Sequence, residues 1–293
     1  MSQSLSRRSA IKTLAGSAAL AGIAVASPAV SRAADATAPK LKGHIHHSVS
    51  KWCYGKISLD DLCVAAKQIG IESVELLGPE EWPTVKKHGL VCAMCNGPDS
   101  IGYGWNRPDH HEKLMQGFEK MIPQVAEHGF PNIITFSGNR RGMSDEEGLK
   151  NCVTGLKRLM PLAEKHKVTV VLELLNSKVD HKDYMADHSA WGIEVCKQVG
   201  SERLKLLFDI YHMQIMEGDL MRSISEHGQY FGHYHTGGNP GRNEIDETQE
   251  INYAAVMRAI VATGYKGYVG QEFIPKQKDA LASLRRAIEI CDV

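Results

Sequence analysis

Glu173, Asp209, His235 and Glu272 carry the strongest chemical signal in this chain, because each closes an apolar run. Val170-Val171-Leu172 leads into Glu173 and Leu206-Leu207-Phe208 into Asp209. Phe231-Gly232-His233-Tyr234 leads into His235, and Tyr268-Val269-Gly270-Gln271 into Glu272. The four positions are 36, 26 and 37 residues apart, intervals that suit one strand–helix–strand unit each. A parallel barrel presents its chemistry on the C-terminal tips of its strands. Three carboxylates and one imidazole are hard and borderline donors. They suit Mn²⁺ or Mg²⁺, with Co²⁺ or Zn²⁺ as alternatives, and no all-sulfur site is implied. Any one of these residues alone reads as a salt-bridge or loop residue; their common phase is what points to a metal site.

The elements that must position them alternate regularly. Apolar runs at 44–49, 73–77, 90–94, 132–136, 167–173, 204–209, 230–235 and 267–273 read as strands. Helical patterns fall between them at 58–69, 80–88, 110–128, 144–166, 187–199, 219–227 and 249–263, and a last one closes the chain at 276–290. The stretch 96–108, rich in Gly, Pro, Asn and Asp, reads as a long loop, and Pro123 predicts a break or kink in its helix. Eight such repeats fit a single (β/α)₈ TIM barrel of about 250 residues. A doubly wound open sheet is the rival, but the first strand lacks a Gly-rich phosphate turn.

Composition agrees with a folded enzyme-sized body: 293 residues, 43% hydrophobic and 23% charged. The first 33 residues hold Arg7, Arg8, Lys12 and Arg32 and no acid, so a chain of formal net charge zero without them carries −4. That mildly acidic body argues against nucleic acid as a partner. Ser6-Arg7-Arg8-Ser9-Ala10-Ile11-Lys12 resembles a twin-arginine export motif, with Ala10 where the motif favours a bulky apolar residue. An Ala- and Gly-rich run over 14–30 and Ser31-Arg32-Ala33 follow. The expectation is a signal peptide at 1–33, a linker at 34–42 and the barrel at 43–293, exported by the twin-arginine machinery to the periplasm. A permanent membrane anchor is the alternative, disfavoured because Ala, Gly and Ser bury little apolar surface. The seven cysteines are odd in number, so at least one lacks an intramolecular disulfide partner. Cys92 and Cys95, three apart in a strand-like run, point to opposite faces if the strand is regular and read as core thiols.

Several longer segments make the resemblance specific. They are His47-Ser48-Val49-Ser50-Lys51-Trp52-Cys53-Tyr54, Glu173-Leu174-Leu175-Asn176, Asp209-Ile210-Tyr211-His212-Met213-Gln214, the run from His233 to Arg242, Glu250-Ile251-Asn252-Tyr253 and Gly270-Gln271-Glu272-Phe273-Ile274-Pro275. Over residues 43–290 the chain resembles the hydroxypyruvate isomerase family, one of the xylose isomerase-like barrels that also include ketose 3-epimerases. The resemblance implies one divalent metal held by Glu173, Asp209, His235 and Glu272, with Glu173 and Glu272 also forming the acid/base pair. It further implies that His212 contacts substrate. Some members of the family carry Gln where this chain has His235, a difference that brings it closer to the epimerases. The implied reaction moves a proton between adjacent carbons through a metal-stabilised enediolate, hydroxypyruvate to tartronate semialdehyde being the family example. A ketose 3-epimerase or an inosose isomerase or epimerase is the alternative within enzymes. A non-catalytic sugar-binding barrel has no need of paired bases, and a multi-zinc abasic-site endonuclease needs more ligands and a basic groove.

Beyond the family match, Arg242 follows a Gly-rich turn and reads either as a fork that clamps a keto-acid carboxylate or as an exposed loop arginine. Trp52 and Tyr54 either wall the pocket or pack in the core. His181 and Lys182 lie in the segment 180–185, which reads by default as a solvated loop and alternatively as a cap over a keto acid or ketose. His44, His46 and His47 stand at the start of the first strand, away from the catalytic rim, and read as structural. A homo-oligomer is compatible with all of this.

Overall fold

The computed structural model describes residues 40–293; the expected signal segment and linker positions 34–39 lie outside the described residues. Seven parallel strands form one curled sheet: β1 (His46–Ser50), β2 (Ser73–Glu75), β3 (Asn132–Thr135), β4 (Thr169–Glu173), β5 (Leu204–Asp209), β6 (Phe231–Thr236) and β7 (Tyr268–Gln271). Their order is β2-β1-β7-β6-β5-β4-β3. β4 and β5, Thr-Val-Val-Leu-Glu and Leu-Lys-Leu-Leu-Phe-Asp, are nearly continuous apolar runs, as strands covered on both faces require.

The expected regular strand at 90–94 does not form. In its place residues 91–95 close the barrel through isolated parallel bridges, Ser73 to Val91 and Leu77 to Cys95 on one side and Cys95 to Ile133 on the other. Side chains take over ladder positions here: Ser73 Oγ accepts the Ala93 N–H at 2.9 Å and Asn132 Nδ2 donates to the Ala93 carbonyl at 2.9 Å. This irregularity also corrects the face assignment of the two cysteines. Cys92 and Cys95 both join the apolar layer between sheet and helices, while Met94 points into the barrel. All seven cysteines are free thiols.

Helices cover the outside, at Leu59–Ile69, Trp82–Lys87, Pro108–Glu127, Asp145–His166, Ser189–Val199, Ile210–Met216, Leu220–His227, Tyr253–Ala262 and Ala280–Cys291. Ser58, Ser144, Asn252 and Asp279 cap four of them through side-chain oxygens, satisfying first-turn N–H groups. The helix expected to break at Pro123 runs through it. Among the described residues no helix is long and apolar enough to cross a membrane. Inside the barrel, Met94, Ile134, Val171 and Leu207 form a small apolar plug with Leu76 and Phe136 against it. The rest of that interior is polar.

Candidate metal centre

Glu173 and Asp209 are the last residues of β4 and β5, His235 lies one residue before the end of β6, and Glu272 follows β7 directly. Parallel register sets Asp209 beside His235 and His235 beside Gly270. With side chains alternating faces along each strand, all four turn inward at one rim. One donor atom from each lies within 4.8 Å of the others, and all four residues are buried. His235 Nδ1 is 2.9 Å from Glu272 Oε2 and 3.7 Å from Glu173 Oε1. Neither contact is aligned as a hydrogen bond, so Nδ1 is a buried nitrogen with no hydrogen-bond partner among the described residues. Three crowded carboxylates and an unpartnered imidazole nitrogen fit a divalent cation, which Glu173, Asp209, His235 and Glu272 would hold.

The helix Ile210–Met216, which the sequence reading overlooked, explains the Asp209-x-x-His212 spacing. Asp209 is its N-cap, and its Oδ1 accepts the backbone N–H of His212 at 3.1 Å. One carboxylate therefore serves as cap and candidate ligand, and it fixes where His212 begins. His212 is fully buried, its Nε2 3.7 Å from Asp209 Oδ2.

Arg242 is held by a turn in which its N–H donates to the Gly238 carbonyl at 2.7 Å, at a left-handed φ of 56°. For a long side chain that conformation is strained, the kind of strain that collects at functional sites. Its Nη2 meets Glu272 Oε2 at 2.5 Å and Asp209 Oδ2 at 3.4 Å, and the guanidinium lies 5.2 Å from the Trp52 ring and 5.6 Å from that of Tyr211. Trp52 Nε1 donates to Glu272 Oε1 at 2.7 Å. A cavity of about 550 Å³ opens over these groups, lined by Glu173, Glu272, Trp52, His181 and Arg242 and walled by Leu76, Ile134 and Phe136. Lys182 is exposed and Tyr54 packs edge-on against Phe273 in the core, so neither lines it. His44 and His46 bind the Val293 carbonyl and Glu72 instead.

Charge is divided unevenly across the site. Burial pushes Asp209 up to about 7, only partly opposed by Arg242, and burial likewise raises Glu173. Burial works against Glu272 as well, but His235 and Arg242 outweigh it and hold that carboxyl well below the usual range. The same pairing, against the cost of burial, keeps His235 well above its ordinary value. Burial, with Arg242 beside it, drives His212 the other way and keeps it neutral.

Two further groups were missed by sequence reasoning. Glu75, at the end of β2, and His233, on β6, are fully buried beneath the four donors. Glu75 Oε1 accepts from His233 Nε2 at 3.0 Å and from His235 Nε2 at 2.7 Å. His233 could have been found, since it shares a strand face with His235 at a spacing of two. Nothing local marks Glu75.

Among relatives, the hydroxypyruvate isomerase of Escherichia coli is 29% identical over 226 residues, covering 72% of this chain and 86% of that protein. The 2-oxo-tetronate isomerase of Pectobacterium atrosepticum is 25% identical over 228 residues, covering 73% and 86%. A solved structure described as a family 2 AP endonuclease from Brucella melitensis superposes with a TM-score of 0.72 at 22% identity, covering 82% of this chain and 97% of that one, a likeness of fold alone. The xylose isomerase-like TIM barrel model matches residues 63–291, and with barrel order, inward strand tips and polar rim agreeing, the chain belongs to that family.

Proposed function

We propose that this protein is a divalent-cation-dependent isomerase of a small keto acid, interconverting hydroxypyruvate and tartronate semialdehyde or a close homologue. One observation carries the reading: Glu173 and Glu272 line a single cavity while their carboxylates share a donor cluster with Asp209 and His235. Simple binding has no use for two buried bases facing one ligand. The names of the relatives support the substrate class.

When bound, a divalent cation supplies Lewis-acid polarisation of the carbonyl and hydroxyl oxygens. Glu272, held in place by Trp52 and Arg242 and facing the cavity, is placed for the removal of a proton from the hydroxyl-bearing carbon. The C–H electron pair moves into the adjoining carbonyl. Glu173, which lines the same cavity, is placed for delivery of a proton to the neighbouring carbon. The hydroxyl proton passes to the former carbonyl oxygen, so atoms balance and no redox partner is consumed. Trp52 and Arg242 fix the orientation of Glu272, and Leu76, Ile134 and Phe136 line the cavity with apolar surface.

Ketose or inosose epimerisation is the second reading, favoured by cavity size. At roughly 30 Å³ per water, about 550 Å³ exceeds what a three-carbon acid fills. Incubating the Mn²⁺-loaded protein with small keto acids and ketoses in D₂O tests both. Deuterium on carbon in an isomerised keto acid supports the first reading, in an epimerised ketose the second, and no incorporation into any of them removes both.

A further inference from the structure

His235 offers one nitrogen to the rim and the other to the barrel interior, and what meets the inner nitrogen comes from across the sheet. Glu75 lies on β2, three strands from β6 in the sheet order β2-β1-β7-β6. To reach His235 its side chain crosses the inner face of β1 and β7, and both strands are cut back to let it pass. β1 presents Ser48 and Ser50, which pair with Ser73 and Glu75. β7 presents Gly270, paired with Ser48 and with His235. A Cβ at Gly270 would sit 2.2 Å from Glu75 Oε1 and 2.9 Å from His235 Cδ2, so this glycine is required by the crossing. A single oxygen then accepts from both His233 Nε2 and His235 Nε2. An acceptor at Nε2 obliges that nitrogen to carry hydrogen, which leaves Nδ1, the nitrogen facing Glu173 and Glu272, for a ligand.

We propose that Glu75 is a positioning residue of the metal centre. By accepting the Nε2–H of His235 across Gly270, it fixes the ring's orientation and presents Nδ1 to the divalent cation, while His233 holds Glu75 in place. This rests on reading the four-residue cluster as a cation site. Carboxylate partners of ligating histidines act in this way, and their loss typically weakens metal affinity about 10–100-fold.

The test is Mn²⁺ affinity and stoichiometry of the full chain by chelator competition, together with the d–d absorption spectrum of the Co²⁺-loaded protein. Glu75→Ala should weaken Mn²⁺ binding about 10–100-fold and shift the Co²⁺ spectrum, because the ring that supplies one ligand is freed. Glu75→Gln, which keeps an acceptor oxygen in the same shape, should recover part of the affinity, and it carries the test if the alanine variant fails to fold. Gly270→Ala, with Glu75 intact but displaced, should reproduce the loss. A residue that merely supports the fold would lower the melting temperature and leave the Co²⁺ spectrum unchanged. The proposal is overturned if the Glu75 variants bind Mn²⁺ within twofold of wild type with the same spectrum. It is equally overturned if wild type binds two ions and Glu75→Ala one, since Glu75 and His233 would then be ligands themselves. Absence of divalent-cation binding by wild type would instead remove the reading of the cluster as a metal site, and the proposal with it.

Discussion

Asn176 Nδ2 lies 2.6 Å from His212 Nδ1, and the amide has no freedom to turn round. Its Oδ1 is taken by the backbone N–H groups of Val179 at 3.0 Å and Asp180 at 2.9 Å, so the nitrogen must face the imidazole and donate. His212 Nδ1 is thereby an acceptor, and the ring hydrogen sits on Nε2, a buried atom with no partner among the described residues. His212 is thus set as a neutral ring with its Nε2–H 3.7 Å from Asp209 Oδ2, and under the proposed function that N–H would donate to a substrate oxygen. Asn176→Asp would put an acceptor against Nδ1 and reverse the tautomer, the kind of exchange that cripples a catalytic histidine elsewhere. Turnover should fall about 10²-fold or more with Mn²⁺ affinity little changed. Equal turnover would detach His212 from the chemistry.

Glu173→Gln and Glu272→Gln should each lower turnover by about 10²–10⁴-fold, the range for loss of a positioned proton carrier. Metal content should fall only in part, because each amide keeps an oxygen donor and three ligands remain. The two variants should differ in one respect. Trp52 and Arg242 bind Glu272 but not Glu173, so Glu272→Gln should also loosen the cavity wall and raise KM. Steady-state kinetics beside metal analysis separates the effects.

Removing the cation should abolish hydrogen exchange into product, and returning Mn²⁺ or Mg²⁺ should restore it. Occupancy at about 100 times Kd should stabilise the fold by about 2.7 kcal/mol, visible as a rise in Tm. Binding competes with protons on Asp209, whose carboxyl titrates near 7, and on His235, held above its ordinary value. Affinity should therefore rise as pH increases through about 7 and weaken toward pH 6. Titrations of Mn²⁺ at three pH values check the slope.

The four rim residues were legible because the signal is local: an apolar run ending in an acid or imidazole announces itself within six residues. Glu75 was not. Ser73-Val74-Glu75-Leu76-Leu77 reads as one buried strand, yet the strand stops at Glu75, where Leu76 turns to a φ of 57°. The partners of Glu75 lie 158 and 160 residues away. The regular strand expected at 90–94 failed because Ser73 and Asn132 bind the backbone of Ala93 through side chains, a competition that no single-segment pattern encodes. The helix after Asp209 was hidden by its brevity, although an N-cap acid three residues before His212 was there to be seen.

Export makes a separate expectation from the sequence. If Ser6 to Lys12 directs the chain through the twin-arginine route, periplasmic protein should begin after Ala33 or Ala34, and replacing Arg7 and Arg8 together by lysine should leave it inside the cell at full length. Fractionation with N-terminal mass analysis reads both outcomes.

His47 supplies a pH dependence independent of the metal centre. It points out of the barrel toward the helices, is fully buried, and neither ring nitrogen has a hydrogen-bond partner among the described residues. Burial lowers its pKa to about 4, with Asp292 opposing weakly. The unfolded chain binds that proton near 6.5, so between the two values the unfolded state holds more protons than the native one. The stability this residue permits is complete above about pH 6.5 and lost progressively as pH falls toward 4. Between pH 7.5 and 4.5 the loss should be about 2–3 kcal/mol. His47→Leu cannot take up a proton and should flatten that part of the curve, whatever its stability at neutral pH. Urea unfolding of both proteins at the two pH values decides it, and parallel losses would assign the effect to other groups.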